Sequence, residues 1–145
     1  MPTTDLKAVI RLRKWEVDEK RRVLGEMIAE EALLRKRRVE LKEEVLRENE
    51  CAREFVHLAD MTLGSYAARA YARRLQLNAA IVDAKKRIEQ ARDELADMFK
   101  DLKTLELAQE ARDEAERKER NRKEQLVMDE IGLELFRRRE GDSVS

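Results

Sequence analysis

The chain has one proline, one cysteine, one histidine, and aromatic residues at only 4% of its 145 positions. Pro2 is the sole proline, so no pyrrolidine ring interrupts a helix after the second residue. Cys51 alone builds no disulfide framework and fits a reducing compartment. His57 has no second histidine with which to share a metal ion. Neither a histidine-based zinc site nor a serine–histidine–aspartate triad is constructible around it. No glycine-rich phosphate loop is present, and no cofactor is expected. No apolar run approaches the roughly 20 residues that span a bilayer. The first residues lack the apolar core of a signal peptide, so a cytoplasmic protein is expected. Net charge is missing too: 32 basic and 32 acidic residues cancel and interleave, leaving no large patch of one sign. Without one, phosphate neutralisation is poorly served, and nucleic acid is not an expected partner.

What the chain does have is periodicity in a sea of charge. Charged residues make up 44% of it, a balance that suits long exposed helices with a narrow buried stripe. Apolar residues recur every three to four positions along Leu6, Ile10, Val17, Leu24, Met27, Leu34, Leu41, Val45, Ala52, Phe55 and Ala59. They recur again along Leu77, Ile81, Ala84, Ile88, Ala91, Leu95, Met98, Leu102 and Leu105. Alternating threes and fours average 3.5, the period of a left-handed coiled coil. Arg13, Lys20, Glu31, Arg38 and Glu48 interrupt the first seam. Such charges weaken pairing and help fix its register, and their long stems reach out to water.

The expected fold is all-α, a long two-helix antiparallel coiled-coil hairpin forming a single domain over residues 1–145. Thr3, Thr4 and Asp5 are N-cap candidates for helix one, about residues 5–60, roughly 80 Å long. Gly64 and Ser65 mark a turn at about 61–65. Helix two then runs over about 66–139, and the tail 140–145 is expected to fray. Reversal at Gly64 sets Ala59 near Tyr66 and Leu6 near Glu119. Everything after about Arg120 is then left without a neighbour from its own chain.

Three places depart from the plain pattern. Leu126, Val127, Met128, Ile131, Leu133, Leu135 and Phe136 cover several faces of the unaccompanied segment. A helix that is apolar most of the way round needs enclosure, by a partner or by a shifted or folded-back piece of this chain. Tyr71, Leu75, Asn78 and Val82 form a stripe beside the seam of helix two, which serves either a partner or a locally wider core. Trp15 falls at an outward position, either as a binding anchor or lying along arginine stems. Residues 109–125 are nearly all polar and read as a solvated helix held by pairs of opposite charge. No group is placed for catalysis, so an enzyme is not expected.

The segment Arg11-Leu12-Arg13-Lys14-Trp15-Glu16-Val17-Asp18, with Val23-Leu24-Gly25-Glu26 after it, resembles the opening helix of the flagellar export protein FliJ family. Arg122-Lys123-Glu124-Gln125-Leu126-Val127-Met128-Asp129-Glu130 resembles its closing helix. The resemblance implies a hairpin similar to the central stalk of rotary ATPases. It also implies as partners the hexameric export ATPase, the cytoplasmic part of the membrane export gate, and flagellar export chaperones. Membrane association would be peripheral, through those partners. An apolar pair early in helix two meets the gate in that family. Here it corresponds to Tyr71 and Leu75, with Asn78 and Val82 departing from the residues often found further on. The two chain ends resemble the part that engages the ATPase ring, which assigns Trp15, Leu126, Met128, Ile131, Leu133, Leu135 and Phe136 to that contact. The equivalent stalk of a virulence-type secretion system and a generic dimerising coiled-coil scaffold are the alternatives.

Overall fold

The computed structural model describes residues 6–54 and 56–144, and the side chains of all of these except 56–63 and 144. Among them are two α-helices and no strand: α1, Leu6–Glu54, and α2, Val56–Val144. The residues that fill them are mostly alanine, leucine, glutamate, lysine, arginine and glutamine, the strongest helix formers. Tertiary contacts group them into two compact units, although the seam reads as one domain. One unit is Arg13–Phe99. The other joins α1 residues up to Leu12 with α2 from Lys100 onward.

Within Arg13–Phe99 the helices pack antiparallel as a hairpin. Lys20 pairs with Glu94, Arg38 Nη1 donates to Asn78 Oδ1 at 3.2 Å, and the Arg21 guanidinium lies 4.7 Å from the centre of the Phe99 ring. Val17, Ala70, Leu77, Ile81, Ile88 and Ala91 are buried, and every described seam residue named from the sequence is buried or half-buried. Of the seam charges, Glu31 is buried and Lys20 and Arg38 are half-buried, while Arg13 and Glu48 are exposed. The N-cap candidates Thr3, Thr4 and Asp5, and the side chains of Phe55, His57 and Ala59, lie outside the described residues.

The helix limits differ from those read in the sequence. α2 begins at Val56, so Gly64 and Ser65 lie inside it, and no described glycine has a positive φ. A lone glycine costs a helix about 1 kcal/mol relative to alanine, too little to end one whose seam continues on both sides. The far end is longer too: α2 reaches Val144, where the Ser143 hydroxyl donates to the Glu140 carbonyl at 2.9 Å. Starting α2 early moves the register. Lys20 meets Glu94, whereas reversal at Gly64 would set it near Leu105.

The same shift governs the other unit. There Ile10 and Leu102 are buried, and Leu6, Val9, Leu105 and Gln109 are half-buried. Every residue from 110 to 143 is exposed, so the unaccompanied segment starts about ten residues earlier than Arg120. At 1.5 Å per residue it is about 50 Å of helix. Local pairs support it: Arg117 with Glu114, Arg122 twice with Glu119, Gln125 with Asp129, and Arg138 with Glu134. Each adds a few tenths of a kcal/mol to a segment already rich in helix formers.

Candidate interaction surfaces

The hairpin unit carries two grooves, one on each flank of the seam at Leu41 and Ala70. They exist because α2 presents small residues here, Ala67 and Ala70, where later turns present Leu77, Ile81 and Ile88. The grooves differ in chemistry. One, about 440 Å³, holds Tyr66 among Arg37, Glu40, Glu44, Arg69 and Arg73. Charges of both signs face each other across it. The Tyr66 hydroxyl is pushed above its ordinary pKa, first by burial and then by Glu44 beside it.

The other groove, about 560 Å³, has apolar walls: Val39 and Leu46 from α1 and Tyr71 from α2, which are 54%, 54% and 63% exposed. Arg38, Lys42 and Arg74 line it as well, and among the described residues no carboxylate does. Val39 and Leu46 are seven residues apart, so they share one helix face. Leu75 and Val82 continue the Tyr71 face along α2, both exposed. Asn78 lies on that face too, but it is half-buried and its oxygen accepts from Arg38 across the seam.

The exposed segment of α2 is unusual in a different way. With roughly 100° between successive residues, its apolar side chains fall into two stripes on opposite sides. Val127, Met128, Ile131 and Leu135 make one; Leu126, Leu133 and Phe136 make the other. All seven are at least half exposed. A helix packed against one neighbour hides one stripe; this segment has two to hide.

Residues 2–141 match the family described as Flagellar FliJ protein. The chain belongs to that family. FliJ-family proteins are non-catalytic components of flagellar protein export. A search of curated proteins and a search of solved structures each found no match.

On this FliJ-family chain the residues singled out from the sequence fall in both units. Tyr71, Leu75 and Val82 share a face of the hairpin unit. Trp15, 62% exposed, stands on α1 near the Arg13–Glu16 and Arg22–Glu19 pairs. Leu126, Met128, Ile131, Leu133, Leu135 and Phe136 lie on the unaccompanied part of α2. Val39, Leu46 and the cations beside them were missed. Their signal was a second heptad stripe on α1, masked by the stronger seam next to it. Cys51 is exposed. Among the described residues, no group of three or more histidine, cysteine or carboxylate side chains is gathered to hold a metal, and no helix is long and apolar enough to cross a membrane.

Proposed function

We propose that this protein is a non-enzymatic stalk and adaptor of the flagellar export apparatus. It links the export ATPase hexamer to the cytoplasmic part of the membrane export gate and escorts the chaperones that carry export substrates. It works at the inner face of the cell membrane, held there by its partners. The observation that carries the reading is the pair of opposed apolar stripes between Leu126 and Phe136 on a helical segment whose described residues are all exposed. A surface of that kind is satisfied by enclosure from more than one side, which the central pore of a hexameric ring provides. Family membership supplies the export context.

In this mechanism the C-terminal part of α2 sits in the ring, and the stripe at Tyr71, Leu75 and Val82 meets the gate. Nucleotide-driven changes in the ring alter its contacts with the stalk, and the helices pass that bias on. Coupling of this type needs two states with different contact energies at both ends, not proximity alone.

The test places one polar substitution on each stripe, Ile131→Ser with Leu133→Ser, in the full-length chain. Affinity for the purified export ATPase should fall by about tenfold or more, the effect of losing central apolar anchors. Unchanged affinity removes the ring contact. In parallel, Tyr71→Ala with Leu75→Ala should weaken binding to the gate's cytoplasmic part and leave ATPase binding intact.

A further inference from the structure

The acid-free groove of the hairpin unit extends beyond the gate-facing stripe on α2. Along α1, Ile28, Ala32, Val39 and Leu46 follow one another at spacings of four and seven, all exposed. Along α2, Tyr71, Leu75 and Val82 do the same at four and seven. Val39, Leu46 and Tyr71 line one groove, so the two stripes open to the same flank of the seam. Two helices that each carry a second heptad stripe on a shared flank form the receiving side of a three-helix packing. The missing element is therefore a helix, whose own knobs must repeat every three to four residues to follow the stripes.

Charge narrows the occupant. The chain as a whole balances 32 basic against 32 acidic residues, and the groove on the opposite flank mixes both signs. Here Arg38, Lys42 and Arg74 stand with no carboxylate among the described lining residues. Arg38 donates to a neutral acceptor, Asn78, a bond that does not neutralise its charge. A cationic rim on an apolar groove attracts a helix flanked by carboxylates and repels one flanked by basic residues. Its like charges also cost the hairpin some stability until they are matched.

We propose that this groove docks an amphipathic α-helix of a partner protein whose apolar face is flanked by aspartate and glutamate. The helix lies along the seam, its apolar knobs between Val39 and Leu46 on one side and Tyr71 and Leu75 on the other. Its carboxylates meet Lys42 and Arg74. The proposal shares Tyr71 and Leu75 with the gate contact proposed above and adds the α1 wall and the charge requirement. It stands on the groove's chemistry even if the gate binds elsewhere.

The experiment uses the full-length protein and two fluorescently labelled synthetic peptides. Both are helical, with leucines at the same heptad spacing. One carries glutamate at the flanking positions and the other lysine. The acidic peptide should bind, and the basic one should not. Val39→Ser with Leu46→Ser, both exposed positions, should weaken acidic-peptide binding by about tenfold or more. Lys42→Glu with Arg74→Glu should reverse the preference, with circular dichroism showing that both variants retain wild-type helicity. Equal binding of the two peptides, or indifference to both pairs of substitutions, overturns the proposal. So does binding to anionic phosphatidylserine vesicles and to neither peptide, or a concentration-dependent dimer lost on Val39→Ser with Leu46→Ser, which would make the occupant a second copy. If Val39→Ser with Leu46→Ser weakens the acidic peptide while Tyr71→Ala with Leu75→Ala leaves binding of the gate's cytoplasmic part unchanged, the groove stands and the gate assignment falls.

Discussion

Replacing Glu31 by leucine should make the hairpin more stable. Glu31 sits in the seam at 5% exposure. One of its oxygens, Oε2, forms an ion pair with Arg35 Nη2 at 2.9 Å, and the other, Oε1, is buried with no hydrogen-bond partner among the described residues. A buried acceptor left in that condition costs about 1–3 kcal/mol. The pair with the half-exposed Arg35 side chain returns only about 0.5 kcal/mol. Leucine removes the penalty, forfeits that small return, and adds apolar burial of about 1.5 kcal/mol in so narrow a core. Helix propensity is nearly the same for the two residues. The net expectation for Glu31→Leu is a gain of about 2–4 kcal/mol. At about 2–4 °C per kcal/mol for a chain of this size, the melting midpoint should rise by roughly 4–16 °C. Thermal unfolding followed by circular dichroism reads it directly. Arg35→Gln is the companion variant: it strands the carboxylate and should lower the midpoint. A Glu31→Leu protein that melts below the wild type would refute the reasoning, because the carboxylate would then be contributing stability through contacts not visible in its surroundings.

Three further outcomes follow from the register and the exposed segment. Spin labels at Met27 and Ile88 should lie as across-seam neighbours, and labels at Met27 and Met98 should be about 15 Å further apart along the helices; the reverse would restore a reversal at Gly64. Truncation after Gln109 should leave the melting midpoint of the hairpin unchanged, since residues 110–143 are all exposed, and a drop of several degrees would mean that they pack on something. Arg122→Gln should raise the titration midpoint of Glu119 as followed by carboxyl NMR, because the hydrogen bond from Arg122, more than any other contact, holds that carboxyl below its ordinary value. As the folded-state pKa is lowered, the pair's contribution is present above the ordinary carboxylate range and disappears as pH falls through the lowered value. An unmoved midpoint in Arg122→Gln would assign the shift to Lys123 instead.

The seam was legible in the sequence because burial in a two-helix packing depends on one repeated spacing. Ile10, Val17, Ile81, Ile88, Ala91 and Leu102 declare themselves by apolar character at the right interval, and all are buried. The reversal was not legible. Gly64 is a local signal, and a helix with favourable neighbours on both sides runs through it at a small cost. One misplaced turn then displaced every cross-helix partner while leaving the seam residues correct, since sliding a coiled coil changes who meets whom and not who is inside. A second clue lay unread past Gln109. There the positions that continue the seam become Arg112, Glu116, Glu119 and Lys123, which says that the companion helix has already ended. Of the candidate surfaces, the stripe at Tyr71, Leu75 and Val82 could be read from α2 alone. The groove could not, because it needs Val39 and Leu46 from α1 brought alongside by the true register.

The two opposed stripes between Leu126 and Phe136 have a consequence for how the protein is made. Molecules released from synthesis without a sheath for that end are adhesive toward one another on two sides at once, so they chain together rather than merely pair. With a hexameric ring as the sheath, one copy of this protein serves six ring subunits, and copies made beyond that ratio should self-associate.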